Sequence, residues 1–269
     1  MWIGLVGSEM CIRDRENNLF SLKDKVSIVT GGNGGIGEGI AKGLANSGSK
    51  VAIIGRDKDK CEIVKEKINS NGGVADYFIC DVIDYNSVKN TVNDVNNKFG
   101  NVDILVNNAG TSIRKPPEKL TPDDWKYVMD VNLTSIHYFS SLVFDQMKNN
   151  NGGKIINIGS MMTIFGAGHA SVYAASKGGV VQYSKSCAIA WAPHNIQVNS
   201  ILPGYITTNM TDGFKKNFPK DAELVTARIP AGRWGVPDDL AGTAIFLASS
   251  ASDFVTGTFI PVDGGYSIR

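Results

Sequence analysis

A run of glycines between a predicted strand and a predicted helix constrains the fold of this chain more than any other feature. Five of the eight residues from Thr30 to Gly37 are glycine. Glycines permit a tight turn and a close approach of backbone amides to a pyrophosphate, and the N-terminus of the following helix supplies partial positive charge. An ordinary flexible turn is the alternative, but the position between strand and helix favours a dinucleotide-binding loop.

The rest of the chain alternates short β-branched runs with longer amphipathic stretches, which is typical of a parallel sheet covered by helices. Predicted strands span residues 26–30, 50–55, 75–81, 102–107, 154–159, 197–202 and 258–262. Predicted helices span residues 36–46, 57–71, 87–99 and 172–192, and a longer helix runs from an N-cap at Thr121 towards Lys148. The pattern predicts an α/β Rossmann fold, a doubly wound parallel seven-stranded sheet with helices on both faces, in one catalytic domain over residues 22–269.

Two stretches depart from this alternation. Residues 1–21 lack the charged start and the small-residue cleavage site of a signal peptide, so we expect a tail that is disordered or not native to the protein. Between residues 205 and 230 the periodicity fades and polar residues cluster, which predicts a mobile lid.

The composition argues against several classes of function. A formal net charge of +1 with 20% charged residues leaves no basic stripe for nucleic acid. The four cysteines form no C-x-x-C pair and the three histidines show no ligand spacing, which disfavours a disulfide scaffold and a metal site. No apolar run approaches the length of about 18 residues that a membrane span needs. We therefore expect a cytoplasmic protein with a small-molecule partner.

The end of the second predicted strand bears on the choice of cofactor. Dinucleotide sites usually place an Asp or Glu there to accept from the adenosine ribose, but this chain has Gly55 followed by Arg56. A guanidinium binds a 2′-phosphate in bidentate fashion, so Arg56 favours NADP. NAD remains an alternative for two reasons. The acidic Asp57 directly follows Arg56, and position 34 of the glycine loop holds a glycine and not a second basic residue that could bind the phosphate. Arg56 as a solvated loop residue is a further alternative.

Tyr173 and Lys177 lie four residues apart on a predicted helix and so share one face. This spacing alone is weak evidence, because Tyr85 and Lys89 have it too. What distinguishes Tyr173 is its surroundings: Ser160 ends a predicted strand upstream, and the residues from 166 to 168 are small enough to admit a substrate.

These three side chains suit a proton transfer coupled to hydride transfer. A phenol has an unperturbed pKa of about 10, and a neighbouring ammonium such as Lys177 lowers it by stabilising the phenolate. Tyr173 would then donate a proton to a carbonyl oxygen or remove one from an alcohol, as hydride moves to or from a nicotinamide. Ser160 would hold the same oxygen by a hydrogen bond.

Together these motifs resemble the short-chain dehydrogenase/reductase superfamily over nearly everything after Leu22. The resemblance rests on the glycine loop, on the Asn-Asn-Ala-Gly run that begins at Asn107, and on the spacing of Ser160, Tyr173 and Lys177. It implies cofactor contacts from Gly31, Asn33, Gly35, Ile36, Gly37, Arg56, Asp81, Val82, Asn108, Ala109, Gly110, Tyr173, Lys177, Pro203, Gly204, Ile206 and Thr208.

The resemblance also assigns roles that the residues alone would not. It implies that Asn132 is a fourth catalytic residue, supporting a water chain that relays protons to the lysine, and that Asp81 lies on the adenine side. Without it, Asn132 would be a polar helix-surface residue and Asp81 a strand-end cap. It further implies a homotetramer in which the long helices from Thr121 and Val172 pair across subunits.

The substrate pocket is less well defined by sequence. Arg114 lies in the loop after the fourth predicted strand, where doubly wound sheets bind ligands, and would grip a carboxylate or a sugar hydroxyl. His169 and Tyr205 occupy pocket positions by resemblance, and Met161 would furnish an adaptable apolar wall. For each of the four, ordinary packing or solvation is the alternative interpretation.

Within the superfamily, residues 228–235 and 263–265 resemble gluconate and deoxygluconate dehydrogenases. This resemblance predicts an NAD(P)-dependent oxidoreductase acting on a secondary alcohol or ketone of a sugar acid or polyol. One alternative is a 3-oxoacyl-[acyl-carrier-protein] reductase, for which the net charge gives no docking surface. Another is a non-catalytic NADP(H) sensor or scaffold, against which the intact Ser160, Tyr173 and Lys177 argue.

Overall fold

The structure, a computed structural model, describes residues 18–269. The predicted disordered or non-native tail lies outside the described residues except for residues 18–21, which contact the domain. The carbonyl oxygen of Leu19 accepts hydrogen bonds of 3.1 Å from the Ala251 N–H and the Ser250 hydroxyl. The Phe20 ring lies 6.5 Å from that of Phe246.

The strands build one parallel sheet. Their bounds are β1 (Val26–Thr30), β2 (Lys50–Gly55), β3 (Val74–Ile79), β4 (Ile104–Asn107), β5 (Gly153–Ile158), β6 (Ile196–Pro203) and β7 (Phe259–Val262). The seven strands lie in the order β3-β2-β1-β4-β5-β6-β7, and every neighbouring pair is parallel. The order reverses between β1 and β4, which is where doubly wound sheets bind ligands. The predicted fold class is confirmed.

Helices cover both faces of this sheet. Their bounds are α1 (Gly35–Asn46), α2 (Lys58–Ser70), α3 (Tyr85–Phe99), α4 (Pro122–Met129), α5 (Ser135–Asn149), α6 (Ser171–Trp191), α7 (Asn209–Asn217), α8 (Pro219–Arg228) and α9 (Ala241–Ala248). One core layer joins alternate strand residues such as Ile53 to α1, α2 and α9. The second core layer joins the strand residues on the opposite face of the sheet, such as Ile54, to α3, α5 and α6. Strand residues therefore face opposite cores in turn, as a buried parallel sheet requires.

The long helix predicted from Thr121 is present but is interrupted by a wider turn. Thr121 caps α4, and its hydroxyl accepts from the Asp124 N–H at 3.1 Å. Between α4 and α5 lies a π-turn, Asp130–Thr134, in which the Ser135 N–H donates to the Asp130 carbonyl five residues back. Such single turns add one residue to a helix and are frequent at functional sites.

The segment predicted as a lid, residues 205–230, contains the two short helices α7 and α8. They meet at Phe218, and Pro219 begins the second helix. Across residues 18–269, no helix is both long and apolar enough to cross a lipid bilayer.

Candidate active site

The sequence-predicted catalytic residues meet at the carboxyl edge of the sheet. Ser160 follows the end of β5, and Tyr173 and Lys177 lie on α6, which packs against β5 and β6. Asn132 lies on the π-turn, and Gly110 follows β4. Because the carboxyl ends of neighbouring parallel strands lie side by side, residues that are far apart in sequence converge here.

Lys177 is a buried cation held by the backbone. Its side chain is buried, and Nζ donates a hydrogen bond of 2.7 Å to the carbonyl oxygen of Ile158, the last residue of β5. Burial lowers the pKa of Lys177 to about 8. Nζ lies 5.8 Å from the centroid of the Tyr173 ring, so the cation sits over the phenol.

The Tyr173 hydroxyl is tuned by its surroundings in both directions. Burial raises its pKa, and the Ser160 hydroxyl and the charge of Arg114 act in the opposite direction. The sequence predicted that Lys177 would be the residue that lowers this pKa. In the structure burial dominates and the pKa of Tyr173 is raised, contrary to the prediction, and the two groups that lower it are Ser160 and Arg114. The Lys177 ammonium donates its hydrogen bond to the Ile158 carbonyl.

A short turn fixes Ser160 relative to α6. The Ser160 Oγ accepts a hydrogen bond of 3.1 Å from the Met162 N–H. The Thr163 hydroxyl accepts from the Ser160 N–H at 3.3 Å and donates to the Lys177 carbonyl at 3.0 Å. The serine and lysine backbones are therefore tied together through one threonine.

Asn132 is fully buried, which contradicts the helix-surface alternative. Its Oδ1 accepts from the Thr111 N–H at 2.7 Å, and its Nδ2 donates to the Thr111 carbonyl and the Ser176 hydroxyl, both at 2.9 Å. A Cβ added to Gly110 would lie 3.5 Å from Asn132 Oδ1 and 3.6 Å from Lys177 Nζ. Gly110 therefore lies between the asparagine and the lysine.

The glycine loop has the backbone geometry that only glycine adopts easily. Gly31 and Gly35 have φ values of +61° and +53°, and α1 begins at Gly35. A Cβ on Gly37 would lie 2.2 Å from the Gly31 carbonyl oxygen, so the helix packs directly on the loop. Ile36, in the same turn, is partly buried against the core.

Asn108 holds this loop against the end of β4. Its Nδ2 donates to the carbonyl oxygens of Thr30 and Gly31 at 2.9 and 3.2 Å. The Thr30 hydroxyl in turn accepts from the N–H groups of Asn108 and Ala109 at 2.9 and 3.0 Å. Asn108 thus positions the loop through its side chain.

The segment after β6 reaches the same loop. A Cβ on Gly35 would lie 3.3 Å from Thr208 Cγ2. Ile206 is buried, and Gly204 packs so closely on Asp263 that a Cβ would lie 2.6 Å from its Cα. Pro203, the last residue of β6, pairs with Val262. The predicted cofactor residues after β6 therefore lie beside those of the glycine loop.

Two predicted cofactor residues, Asn33 and Arg56, lie at the end of β2, where the adenosine of the cofactor is expected to bind. A Cβ on Gly55 would lie 2.6 Å from the Asn33 Nδ2, so the asparagine occupies the space that a side chain at the end of β2 would need. Arg56 is exposed. Asp57 caps α2, accepting from the Lys60 N–H at 3.1 Å, and its carboxylate pairs with the Lys60 ammonium at 3.0 Å. The negative charge of Asp57 is therefore already paired with the Lys60 ammonium.

At the end of β3, Asp81 and Val82 form a turn rather than the last residues of a strand. The Asp81 carboxylate accepts from the Ile83 N–H at 3.3 Å, and Val82 is buried. The sequence extended this strand to residue 81, but β3 ends at Ile79.

The predicted substrate residues are only partly assembled. Met161 and Tyr205 belong to one apolar cluster, and the Arg114 guanidinium lies 5.4 Å from the Phe214 ring at the edge of that cluster. His169 is exposed in the loop before α6 and makes no side-chain hydrogen bond to the described residues. The structure does not bring His169 into the cluster.

Sequence reasoning missed most of the aromatic wall of this pocket. The rings of Trp234 and Tyr266 lie 5.1 and 5.2 Å from that of Tyr205, and Phe165 lies 6.0 Å from Tyr266. These residues come from separate segments. Only Trp234 lies within the stretches, residues 228–235 and 263–265, that resemble sugar-acid dehydrogenases, and that resemblance assigned it no role.

Comparison with known proteins agrees with the geometry. Residues 31–267 match the family described as enoyl-(acyl carrier protein) reductase. The 2-dehydro-3-deoxy-D-gluconate 5-dehydrogenase of Dickeya dadantii is 41% identical over 253 residues, which cover 94% of this chain and 99% of that protein. The 5-keto-D-gluconate 5-reductase of Escherichia coli is 38% identical over 249 residues, covering 93% and 98%.

Solved structures give the same result. The gluconate 5-dehydrogenase of Burkholderia cenocepacia, crystallised in complex with NADP and tartrate, has a TM-score of 0.89 at 36% identity. The alignment covers 94% of this chain and 98% of that one. The resemblance stated from the motifs is confirmed, and the chain belongs to the short-chain dehydrogenase/reductase superfamily.

Proposed function

We propose that this protein is an NADP-dependent dehydrogenase that interconverts a secondary alcohol and a ketone in a sugar acid of the gluconate type. The observation that carries the proposal is the position of Arg114, whose charge acts on the Tyr173 hydroxyl. A fixed cation beside the proposed acid/base residue favours an anionic substrate. The named relatives act on gluconate-type acids, which supports the same substrate class.

The residues present fit a dinucleotide. The positive φ at Gly31 and Gly35, together with the open space at Gly34, where an added Cβ would meet nothing within 4 Å, leave the backbone at the start of α1 accessible to a ligand. Backbone amides at a helix N-terminus suit a pyrophosphate. Arg56 would meet a 2′-phosphate, and Asp81 would lie on the adenine side. The Burkholderia cenocepacia relative was solved with NADP, which supports NADP over NAD.

The nicotinamide would supply or accept the hydride, and this chain's side chains would handle the proton. Tyr173 donates a proton to the substrate oxygen during reduction and removes it during oxidation. Ser160, fixed by the Met162 N–H, holds the same oxygen where negative charge develops. Ser160 and the charge of Arg114 lower the pKa of Tyr173, and the Lys177 ammonium lies over its ring, 5.8 Å from the centroid.

Asn132 would connect this group to solvent. A Cβ on Gly110 would lie 3.5 Å from the Asn132 Oδ1 and 3.6 Å from the Lys177 Nζ, so the absence of a side chain there leaves room beside both atoms. A water chain at this place would return protons to Lys177 after each turnover. The assignment of Asn132, like those of the other site residues, is part of the proposal.

Three further features belong to the proposal. The lid of residues 205–230 would close over the substrate through α7 and α8. A homotetramer would cover exposed apolar side chains such as Ile189 on α6, which is 80% exposed. A cytoplasmic location fits the three cysteines of the described region, all of them free and buried.

The test is a substrate survey with two cofactors. Purified protein is titrated with NADPH and NADH by fluorescence, and nicotinamide absorbance is followed while keto sugar acids, neutral keto sugars and acyl ketones are added. We expect tighter binding of NADPH and turnover on keto sugar acids. Activity confined to acyl ketones would assign the protein to the acyl-carrier reductases, and binding without turnover on any ketone would favour a sensor.

A further inference from the structure

Arg228 ends α8 and has no role in the site described above. Its guanidinium carbon lies 4.3 Å from the centroid of the Tyr266 ring and 5.5 Å from that of Phe165. In the part of the chain that the structure describes, Arg228 forms no ion pair. Arg233, in the same stretch, is paired with Asp239 at 2.7 Å. The Arg228 guanidinium thus packs on aromatic rings and has no carboxylate partner among residues 18–269.

Tyr205 connects Arg228 to the proposed catalytic residues. Its ring lies 5.2 Å from that of Tyr266, on which Arg228 rests. Burial raises the pKa of Tyr205 to about 12 and Tyr266 adds to this, while Arg114 and Arg228 both lower it. Arg114 acts on Tyr173 as well, whereas Arg228 does not. The Arg114 guanidinium lies 5.4 Å from the Phe214 ring. Phe214, Tyr205 and Tyr266 belong to one apolar cluster with Met161, the residue after Ser160, so Arg114 and Arg228 contact the same cluster beside the proposed catalytic serine.

We propose that Arg228 is a specificity-determining residue that binds the substrate carboxylate remote from the reacting carbon, with the Tyr266 ring as its support. A guanidinium stacked on a ring keeps its N–H edge free, and that edge matches the two oxygens of a carboxylate. Arg114, whose charge acts on Tyr173, makes the reacting end of the site favourable for an anion, and Arg228 binds the carboxylate itself. This assignment rests on the proposed function and names the group that selects an acid over a neutral sugar.

The supporting ring is itself fixed in place. Tyr266 is buried, and its backbone N–H donates to the Asp263 carbonyl at 3.2 Å. The Ala231 N–H donates to the Gly264 carbonyl at 3.0 Å, which joins the chain after α8 to the C-terminal segment. Arg228 and Tyr266 are therefore held together by the backbone as well as by their stacking.

The test compares a keto sugar acid with its own primary amide, which has the same shape and no charge. Removing one charge-assisted contact by Arg228→Gln should raise KM for the acid about tenfold and change kcat less than about twofold. The amide should be affected little, so the acid-to-amide ratio of kcat/KM falls about tenfold. Lys220→Gln removes an equal charge from the other end of α8 and should leave this ratio unchanged.

A second variant separates charge from packing. Arg228→Lys keeps the charge but not the planar stacking, so its ratio should fall between those of the wild type and Arg228→Gln. If Arg228→Gln does not fold, the acid-to-amide ratio of kcat/KM is measured in Arg228→Lys instead. A wild type that reduces no keto acid would overturn the proposed function itself. A wild type active on the acid, with the two substrates equally affected in Arg228→Gln or neither affected, would overturn only the role of Arg228.

Discussion

The ammonium of Lys177 is bonded to the carbonyl oxygen of Ile158 at 2.7 Å, where β5 ends. This contact joins α6 to the sheet through a buried charge. Burial holds the pKa of Lys177 at about 8, below its usual value. Because the folded protein binds this proton more weakly than the unfolded chain does, the ionisation of Lys177 affects stability as well as catalysis.

The first prediction concerns the pH dependence of unfolding. Below pH 8 the cost of burying the charged ammonium is present in full, and it is relieved as the pH rises from about 8 towards the unfolded value of about 10.4. Lys177 should therefore make the free energy of unfolding rise over this window. Urea unfolding at several pH values should show a smaller rise in Lys177→Met than in the wild type, the remainder coming from groups such as Lys154, whose pKa burial also lowers.

Lys89→Met is the control, since Lys89 shares its spacing from a tyrosine but is exposed. Its pH dependence should match that of the wild type. A Lys177→Met variant that also matched the wild type would show that the lysine titrates in the folded protein as it does in the unfolded chain.

The second prediction tests Tyr173 as the proton donor. Tyr173→Phe removes the hydroxyl that faces Ser160 but keeps the ring under the Lys177 ammonium. Turnover should fall by about 10²–10⁴-fold while NADPH binding is kept. The exposed Tyr85 provides the matched substitution, Tyr85→Phe, with unchanged turnover expected. Retention of activity in Tyr173→Phe would refute the proposed mechanism.

The third prediction uses Gly110 to test the proposed connection between Asn132 and Lys177. In Gly110→Ala the new methyl would lie 3.5 Å from Asn132 Oδ1 and 3.6 Å from Lys177 Nζ, which is ordinary contact. The fold should tolerate it, but the space between the two groups is filled. We expect kcat to fall about tenfold or more with a change in unfolding free energy below about 1 kcal/mol.

Gly242→Ala on α9 is the comparison, because nothing lies within 4 Å of its added Cβ. It should leave kcat unchanged and stabilise the helix by about 0.5–1 kcal/mol. Equal turnover in Gly110→Ala and the wild type would mean that no proton passes between Asn132 and Lys177.

The sequence predicted those features that are encoded locally. β-branched runs gave the strands, and the glycines from Gly31 to Gly37 gave the loop, because few other residues adopt those backbone angles. The π-turn at Asn132 carries no Gly or Pro and depends on tertiary contacts with Thr111 and Ser176, so periodicity could only predict one continuous helix. The direction of the pKa shift at Tyr173 likewise depends on burial, which spacing does not reveal.

The aromatic pocket shows the same limit. Phe165, Tyr205 and Trp234 come from three different connections of the fold and Tyr266 from the C-terminal segment, and no spacing rule relates them. Their meeting depends on how the chain after α8 packs against the C-terminal segment. Residues that act through such long-range packing are found only once the topology is known.

The fourth prediction separates the two glycines that flank the start of α1. A Cβ on Gly37 would lie 2.2 Å from the Gly31 carbonyl, whereas nothing lies within 4 Å of one on Gly34. Gly37→Ala should therefore push α1 away from the loop, cost about 1–3 kcal/mol of unfolding free energy and weaken NADPH binding. Gly34→Ala should keep stability close to that of the wild type. Thermal unfolding and fluorescence titration measure both, and equal stability of the two variants would contradict the close packing.

The last prediction concerns the adenosine end of the site. Arg56 is exposed beside Gly55, and the Asp57 carboxylate is already paired with Lys60. The guanidinium is therefore available to a 2′-phosphate, and a charge-assisted contact of this kind contributes about 1.5–3 kcal/mol. Arg56→Gln should raise the Kd of NADPH about tenfold or more and leave the Kd of NADH unchanged, while Lys58→Gln, with the same loss of charge at the start of α2, should change neither. If Arg56→Gln weakened the binding of NADPH and NADH equally, Arg56 would support the fold of the loop and would not bind the 2′-phosphate.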